Sequence, residues 1–200
     1  MGTNMNGYKW PVIDIDGTNV SISCAPFDKS VLYCHSGDIW QCVYDATQKK
    51  TKHTLVIHHT QPSAFPTYLG QGDILYCCAG SIKQWNISTQ KSFTLTEGYC
   101  VAPNYHAASN KMVYSKRIRS NMQLWVYDFN NSTHKQLTSD TGDKTDPSWS
   151  ACGTYIVYCL EKKNISEIHV FNTLTKKSYR VSPAGYTCIC PAWSPVFAHR

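Results

Sequence analysis

Pro103, Pro147 and Pro191 stand 44 residues apart in succession, and the residues around them repeat with them. Thr145 to Cys159 reads TDPSWSACGTYIVYC and is followed by EIHVFNTLTKKSYRVSP from Glu167 to Pro183. One period earlier stand VAPNYHAASNKMVYS, from Val101 to Ser115, and QLWVYDFNNSTHKQLTS, from Gln123 to Ser139. A period of this size, made of short alternating apolar segments, signals stacked supersecondary units, none of which can bury its apolar face alone. Arrays of this kind bind through surfaces to which many units contribute.

Two further copies are more worn. One runs from Phe65-Pro66 through Asp73–Cys77 to Lys83–Asn86, the other from Ala25-Pro26-Phe27 through Ser30–Cys34 to Gln41–Asp45. One position joins all of them. Asp14, Asp45, Asn86, Asp128 and Asn172, at spacings of 31, 41, 42 and 44, each end an apolar run and open a polar turn. Asp and Asn suit such a place because their side chains accept hydrogen bonds from nearby backbone N–H groups.

Each unit reads as four strands. In the best copy these are Pro147–Ser150, Tyr155–Cys159, Ile168–Phe171 and Ser178–Val181, with Ala151–Gly153 and Thr173–Lys176 as turns. The second strand is rich in β-branched and aromatic residues, and no stretch carries the apolar period of a helix. Four short strands per unit of about 40 residues is the pattern of a β-propeller blade. An irregular β-sandwich also shows short strands at regular spacing, but here residue identity repeats as well as spacing. The expected fold is therefore all-β: one propeller domain over residues 1–200 with four-stranded antiparallel blades at 24–60, 61–98, 99–142 and 143–186. Partial units fall at 8–23 and 187–200: Lys9–Ser23 reads as third and fourth strands, and Cys190–Pro195 as a first strand. Trp149 and Trp193 hold the same place in the repeat and are both expected to be buried between blades.

Composition fits a soluble domain with a real core, at 42% hydrophobic and 12% aromatic residues. No run of 18 apolar residues suggests a membrane span, so no direct membrane insertion is expected. Met1–Trp10 lacks the apolar region of a signal peptide. The net charge of +6 is spread over Lys49–Lys52, Lys116–Arg119, Lys162-Lys163 and Lys176-Lys177, all placed in turns on different units. Nucleic acid needs such charges on one face with aromatics between them, so it is not the expected partner. Of the ten cysteines, three recur after a Tyr at the end of the second strand, Cys34, Cys77 and Cys159. That favours a packing role over disulfides, and disulfides over metal: Cys188-x-Cys190 and His58-His59 lack a second pair at zinc spacing. No nucleophile elbow, P-loop, zinc-protease or dinucleotide motif is present, so no enzyme and no cofactor is expected.

QLTSDTGDKTDPSWSACGTYIVYC resembles the repeat of TolB-type propellers, in which Leu-Thr, a short loop and an acidic residue precede Pro-x-Trp-Ser-Pro-Asp-Gly and an apolar strand. VIDIDGTN resembles the family's strand and turn, and CPAWSP its C-terminal end. Ser150–Gly153 departs from Ser-Pro-Asp-Gly, and the Pro66 and Pro103 units lack the Trp. The resemblance implies a non-catalytic protein-binding propeller. It also implies a periplasmic location, with the cytoplasm as the alternative given the N-terminus. The implied partner is a Pal-like lipoprotein of the Tol-Pal system, received at the mouth where loops lead into the innermost strands. Those loops give the candidate contact residues Gln61, Ser63, Ala64, Tyr99, Cys100, Asp143, Lys144, Thr145, Asp146, Thr187 and Cys188. The motif itself carries Thr145 and Asp146; the others follow by position. Two other readings stay open. One is a sensor binding a ligand or a cation, for which Asp28, Asp143 and Asp146 offer oxygens. The other is the propeller part of a larger enzyme such as a peptidase.

Overall fold

The structure is a computed structural model and describes residues 2–3, 9–10, 19–25, 30–45, 47–48, 50–70 and 72–193. A two-stranded ribbon, β1 (Gly2–Thr3) and β2 (Lys9–Trp10), precedes four four-stranded antiparallel sheets. Sheet one holds β3 (Asn19–Cys24), β4 (Ser30–His35), β5 (Asp38–Asp45) and β6 (Lys50–Ile57). Sheet two holds β7 (Ser63–Leu69), β8 (Asp73–Cys78), β9 (Ser81–Asn86) and β10 (Lys91–Thr94). Sheet three holds β11 (Cys100–His106), β12 (Lys111–Ile118), β13 (Asn121–Asp128) and β14 (Thr133–Gln136). Sheet four holds β15 (Asp143–Trp149), β16 (Tyr155–Lys162), β17 (Ile165–Asn172) and β18 (Lys177–Arg180). Among the described residues the helical content is one 3₁₀ turn, Ala107–Ser109.

The chain forms two compact units, Met1–Ala79 with Lys83–Phe93 and Gly80–Ile82 with Thr94–Arg200. In the first, Leu32, Cys34, Ile39 and Ile57 of sheet one pack with Tyr68, Ile74, Tyr76 and Cys78 of sheet two. In the second, Val113, Leu124 and Val126 of sheet three pack with Trp149, Ile156, Tyr158 and Phe171 of sheet four.

Three devices recur. The strand-ending acids and amides accept from the turn that follows: Asp45 from the N–H groups of Thr47 and Gln48, Asn86 from Thr89, Asp128 from Asn130, Asn172 from Leu174 and Thr175. Asp14 lies outside the described residues. After each fourth strand of the last three sheets, a hydroxyl folds back to accept from the third strand: Thr96 from Ile82 at 2.8 Å, Thr138 from Leu124 at 2.9 Å, Ser182 from Ile168 at 3.1 Å. The second strand of every sheet buries a tyrosine, at positions 33, 76, 114 and 158. Three of these phenols reach a histidine, Tyr33 to His53, Tyr76 to His59 and Tyr114 to His134, while Tyr158 donates to Ser178. Burial pushes the Tyr33 phenol up to about 12.

The structure shifts several sequence expectations. The first strand of sheet one is Asn19–Cys24, not Ala25–Phe27. NVSISC therefore opens a sheet instead of closing a partial one. At the other end, 186–193 forms no strand, although Cys190 takes the same left-handed backbone (φ 53°) as Asp146 (φ 49°) in the repeat before it. Ser194 and Pro195 lie outside the described residues. Trp149 is buried at 8% exposure, but Trp193 is 37% exposed. Lys50–Lys52, Lys116–Ile118, Lys162 and Lys177 lie at strand ends and not in turns.

Candidate functional site

The segments expected as loops before the first strands are themselves strand. Ser63, Cys100 and Asp143 open β7, β11 and β15, so the connecting loops lie earlier. The register then slips between Ala64 and Thr67, Val101 and Asn104, and Thr145 and Ser148. At each slip a non-glycine residue adopts positive φ: Phe65 (52°), Ala102 (53°) and Asp146 (49°), each just before the proline. A bulge of this kind re-aims the side chains that precede it.

Before each bulge a buried residue is followed by a half-buried one. Ser63, Cys100 and Lys144 are buried, while Ala64, Thr145 and Asp146 are half-buried. The backbone carbonyl of the inward residue accepts from the second strand of the preceding sheet. Cys34 Sγ donates to Ser63 O at 2.9 Å, Ser115 Oγ to Lys144 O at 2.8 Å, and Cys159 Sγ to Cys188 O at 3.6 Å. Cys34 thus latches sheet one to the first strand of sheet two and Cys159 latches sheet four to the segment 186–193, a role beyond packing that a hydroxyl fills equally at Ser115. Six of the ten thiols are buried and all ten are free.

Lys144 is the most unusual of the expected contact residues. It is fully buried, and its ammonium donates to the carbonyls of Asp140, Thr141 and Gly142 and pairs with the Asp140 carboxylate at 3.2 Å. Burial lowers its pKa, and Asp140 opposes that. It is turned inward and gathers the loop that feeds β15. Cys100 is buried, its thiol against Glu97 O. Asp143 accepts from the Met122 N–H at 2.7 Å and from Asn121, fixing the β12–β13 hairpin tip. In the first unit Gln61 is exposed, and Ser63 Oγ is buried without a hydrogen-bond partner.

What the second unit presents outward at this end is a smaller set. Tyr99 is 50% exposed, and the Arg117 guanidinium lies over its ring at 5.0 Å. Thr145 Oγ1 sits 3.4 Å from Glu161, and Asp146 is half-buried. Burial raises the Asp146 pKa, with the Glu161 charge adding to it. Thr187 is exposed and Cys188 half-buried. Arg117 was hidden in the sequence because its aromatic partner lies 18 residues away, in the loop just before β11. His58 pairs with Asp38 and His59 with Tyr76, so they are not a chelating pair. Among the described residues no group of three or more His, Cys, Asp or Glu side chains could hold a metal ion. Asp28 lies outside them.

No family model and no curated protein sequence matches the chain. Solved structures do. TolB from Acinetobacter baumannii superposes with a TM-score of 0.72 at 16% identity, over 89% of this chain and 47% of that one. A protein assigned as TolB from Agrobacterium tumefaciens gives 0.79 at 13% identity, over 92% of this chain and 69% of that one. The fold is that of a TolB-type β-propeller. The chain spans about half the length of the first of these structures. The same fold also matches a puromycin-hydrolyzing peptidase of Mycobacterium tuberculosis, at 0.66 and 11% identity, over 84% of this chain and 29% of that one.

Proposed function

We propose that this chain is a non-catalytic protein-binding propeller that receives its partner at the end of the sheets where the first strands begin. The contact set is Tyr99, Arg117, Thr145, Asp146 and Thr187, all of the second unit. The observation that carries this reading is the sorting of side chains around the bulge. Lys144, Cys100 and Asp143 are consumed in holding the frame, while Tyr99 under Arg117 is left exposed beside the half-buried Thr145 and Asp146. Tyr and Arg are the side chains most often found at the energetic centre of protein interfaces, and loop ends on a rigid β scaffold are where binding residues concentrate. By resemblance the partner is a Pal-like lipoprotein, which carries with it a periplasmic location and membership of a Tol-Pal system.

The test is a titration of the folded chain with the Pal-like protein of the same source. Tyr99→Ala and Thr145→Arg should each weaken binding by more than about 1 kcal/mol, whereas Lys135→Ala, on an exposed outer strand, should leave it unchanged. Equal binding by all variants sinks the site; no binding by the parent sinks the partner. The match to the peptidase supports a second reading, an accessory propeller of a hydrolase. Stable association with a hydrolase instead of the lipoprotein would favour it.

A further inference from the structure

Arg117 and Arg180 both lie in the second unit and are used in opposite ways. Arg180 is spent on the fold. Its guanidinium meets the Glu167 carboxylate at 2.8 Å and donates to the carbonyls of Ser182 and Pro183 at 3.1 and 2.6 Å. Arg117 is exposed, and its side chain makes no hydrogen bond or ion pair with the described residues. Glu97, two residues before Tyr99 in the same loop, leaves it unpaired as well.

An arginine without a partner ordinarily samples many rotamers in water, but this one is held in place. Its guanidinium lies 5.0 Å from the centre of the Tyr99 ring. The two residues are also tied through the backbone, since the Arg117 N–H donates to Tyr99 O at 2.9 Å. The ring is fixed in turn by Gly80, whose carbonyl accepts from the Cys100 N–H at 2.7 Å. A Cβ at Gly80 would lie 3.1 Å from Tyr99 Cδ2, and the φ of 76° there favours glycine too. Gly80, Tyr99 and Arg117 therefore form one built stack, all within the second unit.

Attraction to an aromatic ring holds a guanidinium without using its N–H donors in hydrogen bonds. Those donors form a planar fork that matches a carboxylate with two parallel hydrogen bonds. A fork already positioned loses less freedom on binding than one that must first be ordered. A backbone carbonyl of the partner would satisfy single donors but leave the positive charge unbalanced as water is expelled. A cationic partner would be repelled, here and by the net charge of +6 on the whole chain. We infer that Arg117 determines specificity at this end of the second unit, and that the partner places an Asp or Glu carboxylate on it from an acidic segment. This rests on the proposed function and adds the partner's chemistry to it. Tyr99 and Gly80 act through Arg117, as positioning residues.

The experiment has two arms, both with the whole chain. One is a titration with the Pal-like protein of the same source at low and high salt. The other is an array of short peptides in which each Asp or Glu peptide stands beside its Asn or Gln twin. Arg117→Gln should weaken binding about tenfold or more and flatten the salt dependence. Arg117→Lys should restore the salt dependence but only part of the affinity, since a lysine keeps the charge and loses the fork. Both variants should melt close to the parent. On the array the parent should prefer acids to their amide twins, and Arg117→Gln should bind both equally weakly. A preference for acids without binding to the lipoprotein sinks that partner and leaves the inference standing. Lipoprotein binding undiminished in Arg117→Gln overturns the inference and leaves the proposed function standing. Acids and amides bound alike by the parent, or no binding in either arm, also overturn it.

Discussion

Trp149 and Trp193 occupy one place in the repeat, and their fates differ. The first is sealed between sheets three and four; the second rests beside Tyr155 at the edge of sheet four, more than a third exposed. The backbone around them is alike, down to the left-handed residue three positions before each. The repeat therefore writes the internal geometry of a sheet, and burial is decided by what packs around it. Local sequence sets register and turns; only a neighbour converts an apolar face into stability.

The sharpest test of that contrast is a pair of truncations. Trp149→Ala should cost ~3–5 kcal/mol, the usual penalty for emptying a buried aromatic site, whereas Trp193→Ala should cost under about 0.5 kcal/mol, as at a surface position. Equal losses in thermal unfolding would mean that both ends of sheet four are covered alike.

A smaller difference separates Lys144 from its counterpart Cys188. Lys144→Met keeps the length of the side chain but leaves three carbonyls and a carboxylate without their donor. We expect a loss of about 2 kcal/mol and faster amide exchange in residues 140–142. Cys188→Ser, which keeps the carbonyl that Cys159 reaches, should be near neutral.

The smallest effect concerns pH. Burial, helped by Lys116, lowers the His134 pKa. Tyr114 and the ring of Tyr127 face this histidine, whereas Tyr158 in sheet four meets the non-titrating Ser178. A base whose folded pKa is depressed contributes fully above its unfolded value, near 6.5, and loses that contribution as pH falls below it. The parent should lose melting temperature between pH 7.5 and 5, and His134→Ser should lose less. Solvent screening at this exposed edge keeps the difference below about 1 kcal/mol. Identical pH profiles would show that the two sheets are locked in the same way.

Much of this was legible in the chain. Asp45, Asn86, Asp128 and Asn172 announce turns because an acceptor side chain there has one dominant use, whereas the return of Thr96 and Thr138 to the third strand emerges only in the structure. The start of the first strand was not legible. DKTD reads as a polar loop, and only the bulge at Asp146 explains how a lysine in it faces the interior. NVSISC was misplaced because alternation identifies a strand without saying which edge of a sheet it takes. Of the candidate contacts, Thr145 and Asp146 are half-buried, and the frame-holding roles of Lys144, Cys100 and Asp143 depend on carbonyls and N–H groups that no residue pattern displays.

The thiol-to-carbonyl latches make the protein its own reporter of breathing. Cys34 and Cys159 are shielded, and burial holds both thiols above their ordinary pKa, so an alkylating reagent reaches them only when neighbouring sheets part. Cys152 is exposed, and a hydrogen bond from Ser150 brings it down to about 7, so it reacts at once and starts the clock. The lag between the first thiol labelled and the latches then measures how often one sheet lets go of the next, without any probe being added to the chain.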